Sequence, residues 1–420
     1  MRSRLRVLLP LGIASALALL GDSTLYTALP SHTAAAGITV GAVGIILSAN
    51  RLVRIFINSP VGSAYDRFGR RRPFVVAMIL AVFSTFCYAV VEGFWSLLAS
   101  RIVWGIAWAF ILVGGYSMVL DITTKADRGR ISGVYQAALR MGGLVGMLCG
   151  GFLTDIVGYR PGLVICTTLT GLGALVALAF LPETTGWLGE ATSSEDSSAI
   201  SPCQPKYKGI SWQRLDRRLL VAGYVSFASS FAGRGVLRST LGLLLKQRFG
   251  MSVQMGPFLL GIASLTGLLL AGNSLLLAAS SPLAGSLSDR IGDRWLVILL
   301  GLLINAGGFL ILAEGQGGGA ILLGILITAL GSGMIIAALM AAVGDLAPSG
   351  RGGLVMGGFA TANDLGGTAG PLVGYALGTG WGLEWAYLLC VLIFLPAGGV
   401  AWAVRATKKD EKSRNGRSNG

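Results

Sequence analysis

The sequence predicts an all-α integral membrane protein: twelve transmembrane helices in two pseudo-symmetric six-helix bundles, with both termini cytoplasmic. Three observations carry that expectation. The chain of 420 residues is 53% hydrophobic and only 12% charged, half the ~25% charge of soluble domains. Apolar runs of about 20 residues, enough to span a hydrocarbon core as a helix, recur along it. One pattern of glycines and charges also occurs twice, half a chain apart. The strands of a membrane barrel would read as roughly 10-residue alternations, and no such pattern is evident.

The spans fall at about 7–29, 40–64, 73–92, 95–121, 131–155, 160–182, 218–243, 257–286, 295–314, 319–344, 353–378 and 382–404. Placing the basic residues between them gives the orientation. One side receives Arg2, Arg4, Arg6, the loop Arg67 to Arg72, Lys125, Arg128, Arg130, Lys206 to Arg218, Arg290, Arg294, Arg351 and the tail from Arg405 to Arg417. The other receives Arg160, Lys246 and Arg248. An excess of Lys and Arg marks cytoplasmic loops. The net charge of +14 thus reads as a topology signal, and nucleic acid is not an expected partner.

The basic start and apolar run of MRSRLRVLLPLGIASALALLG look like a signal peptide. The run continues to Pro30 and another span follows, so an uncleaved first helix is expected. The cysteines have no metal or disulfide spacing, and no cofactor is expected. The single His32 reads as a solvated residue of the outer loop.

Four segments follow: 1–182 as the first bundle, 183–217 as a polar cytoplasmic linker containing SSEDSSAISPCQPKYK, 218–404 as the second bundle, and 405–420 as a basic cytoplasmic tail. The halves repeat. Gly62, Asp66, Arg67 and Gly69 match Gly285, Asp289, Arg290 and Gly292 at an offset of 223. The ladder Gly133, Gly142, Gly146, Gly150 matches Gly357, Gly366, Gly370, Gly374 at an offset of 224. Such repeats occur in transporters, whose substrate site lies between the repeats near the midplane.

Twelve spans, two six-helix halves and the loop GSAYDRFGRRR, Gly62 to Arg72, resemble the major facilitator superfamily of secondary transporters. The resemblance covers about residues 7–404. It implies that Gly62, Asp66, Arg67, Gly69, Arg70 and Arg71, echoed by Gly285, Asp289, Arg290 and Gly292, form a conformational latch on the cytoplasmic side. In physical terms, Gly62 permits a close backbone approach, and Asp66 caps a neighbouring helix or pairs with Arg67 or Arg70. The glycines at 142, 146 and 150 share one helix stripe and allow tight packing. They resemble the fifth-helix signature of drug–proton antiporters, with Met147 where that branch has proline; Pro371 follows Gly366 and Gly370 in the eleventh span instead.

Ionisable residues inside a membrane usually face a cavity or a partner. The acids are Asp22 and Asp364; the bases are Arg51, Arg54, Arg101, Arg140, Arg234 and Arg238. Arg101 resembles the family's fourth-helix arginine, which is associated with proton coupling. Asp22 and Arg101 lie at similar depth, roughly 9–11 Å from the outer surface at 1.5 Å per residue. They are expected to pair, either as a switch that couples protons or as a static ion pair. In the repeat alignment Arg140 falls opposite Asp364, so a bridge between them is expected. Arg54 and Arg234 remain as binders of carboxylate or phosphate, and Asn363, Tyr26 and Gln136 as polar cavity contacts.

The expected function is secondary active transport by alternating access: proton-coupled export of a small organic solute or drug. The alternative is an organic anion carrier using the arginines. A non-transporting receptor is remote, since it would call for a large extra domain. No nucleotide loop or nucleophile–base pair appears, so the chain does not read as an enzyme. Expected partners are a small-molecule substrate, protons and the lipid bilayer, with the chain a multi-pass monomer of the inner cell membrane.

Overall fold

The structure is a computed structural model, and it describes residues 2–124, 127–185, 217–255, 258–346 and 352–418. The linker falls almost wholly outside the described residues, as do Lys125 and Arg351.

Helices dominate because the apolar runs leave the backbone no water to bond with, so each segment satisfies its own amides. In chain order they are α1 (Arg2–Ala28), α2 (Val40–Phe68), α3 (Arg71–Val90), α4 (Phe94–Asp121), α5 (Arg128–Val157) and α6 (Tyr159–Phe180). The second half has α7 (Arg217–Ser229), a π-helical segment (Ser230–Leu237), α8 (Arg238–Phe249), α9 (Ile262–Ile291), α10 (Arg294–Glu314), α11 (Gly318–Leu346), α12 (Gly352–Gly380) and α13 (Leu383–Ser418). Among the described residues, eleven helices are long and apolar enough to cross a membrane, with α7, the π segment and α8 forming one continuous crossing. Helix α12 runs 29 residues, about 43 Å at 1.5 Å per residue, and packs among them.

The repeat in the sequence becomes a repeat in packing. In the first half α1 packs on α5 and α6, α2 on α4, and α3 on α4 and α6. In the second, α12 packs on α7 and the π segment, α9 on α11, and α10 on α11 and α13. The two main contacts between halves are α2 against α12 and α5 against α9. Each joins the second crossing of one half to the fifth of the other.

Three details depart from the sequence reading. Residues Ser252–Met255 (β1) and Phe258–Gly261 (β2) form an antiparallel hairpin, so the eighth span begins at Ile262. Helix α8 runs to Phe249 and carries Lys246 and Arg248 on its last turn. Helix α13 continues through the basic tail to Ser418. His32 also differs from the solvated residue expected. It is half-buried, its ring stacked 6.0 Å from that of Tyr159. Burial pushes its imidazole below the usual value against the pull of the Ala28 carbonyl and Asp155.

Candidate functional site

A cavity of about 780 Å³ lies between the halves, with walls from α1, α2, α4, α5, α7, the π segment, α8, α9, α11 and α12. One end is shut by contacts between the halves. Ser264 donates its amide to Asp155 (2.6 Å), Lys246 donates to the Ser31 carbonyl (2.6 Å), and Ser48 donates to the Thr368 carbonyl (2.7 Å). At the end carrying the basic loops, the described ion pairs stay within one half: Arg4–Asp127, Arg70–Asp121, Arg294–Asp345 and Arg405–Asp293.

The structure brings Asp22 and Arg101 together as their depths imply. The Arg101 Nη1–Asp22 Oδ1 distance is 2.5 Å. Arg101 is fully buried, donates through Nε to the Ile46 carbonyl (3.3 Å), and faces the rings of Tyr26 and Tyr88 at 5.5 and 5.8 Å. Asn50 adds a weak donation to Asp22 (3.4 Å). A carboxylate and guanidinium this deep are stable only while paired, since either alone would be an uncompensated buried charge.

The expected bridge between Arg140 and Asp364 is not formed. Asp364 accepts instead from Arg54 Nη2 at 3.0 Å. The repeat sets Arg140 and Asp364 at equivalent places of two related halves. The contact between halves joins α12 to α2, so the arginine that Asp364 meets is one on α2. Arg140 lines the cavity from α5. Arg54 is thus already bound to a carboxylate, which weakens its expected role as a free anion binder. Arg234 does line the cavity, together with Arg51 and Arg238.

Among the polar contacts, Asn363 lines the cavity and donates to Ser226 Oγ at 3.4 Å. Tyr26 lines it too, with its hydroxyl toward the Leu47 carbonyl at 3.5 Å. Gln136 is not among the lining residues: it lies one helical turn before Arg140, nearer the end of α5 that carries the basic loops.

The loop Gly62–Arg72 is held by the expected Asp66–Arg70 pair and by two partners that the sequence reading missed, Asp121 and Glu183. Arg70 bonds Asp66 (3.1 Å) and, through Nε, Asp121 at the end of α4 (3.1 Å). Glu183, just past α6, accepts from the amides of Arg70 (2.8 Å) and Arg71 (3.1 Å), the unsatisfied donors at the start of α3. Arg71 also donates to the Leu178 carbonyl at 2.7 Å. Partial burial pushes the Glu183 carboxyl up, but the Arg70, Arg71 and Thr185 donors outweigh it and hold the group below the usual carboxylate value. Gly69 takes φ +79° and Gly292 φ +69°, conformations that favour glycine.

The second half repeats this with altered chemistry. Arg294 pairs with Asp345 at 2.9 Å, closing the same two helix ends that Arg70 and Asp121 close in the first half, from a position one residue along. Asp293 caps α10 by accepting from the Leu296 amide (3.1 Å) and is held by Arg405 (2.6 Å). Asp289 and Arg290 are exposed and have no ion-pair partner among the described residues, and Arg67 lies beside the Phe68 ring rather than on Asp66. A signal for Asp121 was present in the sequence: Asp345 stands 224 residues later.

The glycines divide sharply. A Cβ at Gly142, Gly146 or Gly150 would strike Ala16, Leu20 or Thr24 of α1, and one at Gly366 or Gly370 would strike Phe227 or Gly235. These glycines let helices touch backbone to backbone. Pro371, inside α12, presents its carbonyl to Gly44 of α2. By contrast, a Cβ at Gly62, Gly285 or Gly133 would meet nothing within 4 Å. The close approach expected at Gly62 is absent in this conformation, because the halves are apart at that end.

Two pseudo-symmetric helical halves enclosing a charged central cavity define the class of a polytopic membrane carrier. The sequence profile of the Major Facilitator Superfamily matches residues 11–272 and 263–420. The chain therefore belongs to that family, whose members are membrane transporters and not enzymes. It is 25% identical over 331 residues to the class D tetracycline resistance protein of Salmonella ordonez, covering 79% of this chain and 78% of that one. Matches to the probable vesicular acetylcholine transporter-B of Danio rerio (28% identical, 33% of this chain) and to multidrug resistance protein 1 of Bacillus subtilis strain 168 (30% identical, 29% of this chain) span only 29% and 31% of those proteins. In fold, the chain is similar to a bacterial homologue of the human lysosomal transporter Spinster in its inward-facing, unoccupied conformation. That similarity has a TM-score of 0.78 and 16% identity, and covers 96% of this chain and 97% of that one.

Proposed function

We propose that the protein is a secondary active carrier that works by alternating access and exports a small organic solute by exchange with protons. One observation carries this reading: contacts between the halves close one end of the cavity, and Asp22, bound to the fully buried Arg101, lines it. With the basic loops placed in the cytoplasm by the positive-inside rule, the cavity opens inward. Residues 1–182 and 218–404 then act as two six-helix bundles that rock about the central site, the chain acting as a twelve-span monomer of the inner cell membrane.

Asp22 is the coupling residue. Its carboxylate is balanced by the Arg101 guanidinium, so a proton delivered to it would take over the role of that partner. The Gly69–Arg71 loop, braced by Asp121 and Glu183, acts as the cytoplasmic latch, making different bonds when that side closes. Relatives named for resistance to tetracycline and quinolones support outward transport.

The test is transport by the full chain in proteoliposomes under an imposed pH gradient. Proton movement triggered by organic solutes in the wild type, and lost in Asp22→Asn, supports the reading. Solute movement that ignores the gradient would leave a carrier without proton coupling.

A further inference from the structure

Five arginines, Arg51, Arg54, Arg140, Arg234 and Arg238, line the cavity against one lining carboxylate, Asp22. Both buried acids are already engaged, Asp22 by Arg101 and Asp364 by Arg54. Arg51, Arg234 and Arg238 share one region of the wall: the charged neighbours of Arg234 are Arg51, Asp364, Arg54 and Arg238. Among the described residues, none of the three has an ion-pair partner.

What holds the Arg51 and Arg238 side chains is neutral. Arg51 donates to the Gly367 carbonyl at 3.0 Å. Arg238 donates weakly to Ser23 Oγ (3.4 Å) and lies 4.7 Å over the Tyr26 ring. These contacts aim the guanidinium groups without cancelling their charge. The Arg238 Nε and the Ser230 Oγ are buried and unpartnered, and Arg234 has no hydrogen-bond partner among the described residues. The crossing also abandons α geometry here, since Arg234 lies inside the π segment and Arg238 directly follows it. Such π distortions frequently mark functional sites.

Like charges gathered on one wall of a cavity repel, and an anion bound between them relieves that repulsion. Guanidinium groups match carboxylate and phosphate oxygens in pairs. We infer that Arg51, Arg234 and Arg238 form an anion-binding subsite, and that the cargo is an organic acid: a carboxylate, sulfonate or phosphate monoester. Its acidic group sits on these arginines and its apolar body lies along Trp108, Leu237 and Met147, which line the same cavity. Arg54, held by Asp364, stays outside the subsite. The inference rests on the carrier reading above and adds the charge of the cargo to it.

The experiment is thermal unfolding of the purified full chain in neutral detergent at fixed ionic strength, titrated with benzoate, benzenesulfonate, phenyl phosphate, benzamide or benzylamine. At least one anion should raise the midpoint with saturation, while benzamide and benzylamine do not. Arg234→Gln removes no bond seen in the structure, so its fold is retained. It should weaken the anion about tenfold, the scale of a lost charged hydrogen bond, with partial recovery in Arg234→Lys. Absence of a shift with all three anions overturns the inference, as does unchanged affinity in the Arg234→Gln, Arg238→Gln double variant. Proteoliposome transport separates the two readings. Movement of neutral or cationic solutes without anion binding sinks the subsite and spares the carrier. Anion binding without movement of any solute supports the subsite and sinks the carrier.

Discussion

Arg54 Nη2 lies 3.0 Å from Asp364 Oδ1, and this bridge joins α2 of one half to α12 of the other at the cavity wall. Toward the start of α2 it is followed by the donations of Arg51 to the Gly367 carbonyl and of Ser48 to the Thr368 carbonyl. Alternating access would have to take this seam apart.

Removing one partner should hurt more than removing both. Asp364→Asn leaves Arg54 charged and partly buried, whereas the double variant Arg54→Gln, Asp364→Asn leaves two neutral groups. A thermal double-mutant cycle should give a coupling energy of about 1–3 kcal/mol. Simple additivity would mean that the bridge contributes nothing to the seam.

Asp22→Asn should abolish accumulation driven by a pH gradient while leaving solute exchange at equal pH intact. The asparagine keeps the shape at Arg101 but carries no titrating proton, and it leaves that guanidinium without its counter-charge, so the variant should also unfold at a lower temperature. Flux measurements on the same proteoliposomes separate the two activities. Loss of both together would make the Asp22–Arg101 pair structural.

The glycines predict opposite outcomes for similar substitutions. Gly150→Val drives a branched side chain into Thr24 and should destabilise the fold by about 1–3 kcal/mol, as overpacking does. Gly62→Ala meets open space and should be neutral, or stabilising by up to ~1 kcal/mol from helix propensity. Thermal unfolding in detergent measures both. If Gly62→Leu keeps wild-type stability but stops transport, the close approach at Gly62 belongs to the conformer that is closed on that side.

Glu183 should make the latch sensitive to acid. Its carboxyl titrates below the ordinary value because the Arg70 and Arg71 amides bond its charged form. A depressed carboxylate stabilises the fold above its unfolded pKa, near 4.3, and that contribution is lost as pH falls through the folded value. Wild-type stability should therefore drop below about pH 4.3, and Glu183→Gln should flatten that drop. Equal slopes for the two proteins between pH 3 and 6 would remove Glu183 from the brace.

The crossings, the duplicated halves and the depth of each charge were legible in the sequence, because lipid forces long apolar helices and a repeat shows as a constant offset. Similar depth made a pairing of Asp22 with Arg101 possible. Tertiary structure decided what depth and offset leave open: which face each helix turns, and which helices meet across the halves. It gave Asp364 to Arg54 instead of Arg140, left Gln136 off the cavity wall, brought Glu183 to the start of α3, and gathered Arg51, Arg234 and Arg238. Rotation about a helix axis costs a hydrophobic pattern little when lipid and core are equally apolar. Such partners are therefore fixed only by the packing of small residues, such as Gly150 on Thr24 and Gly366 on Phe227, and not by the order of residues along the chain.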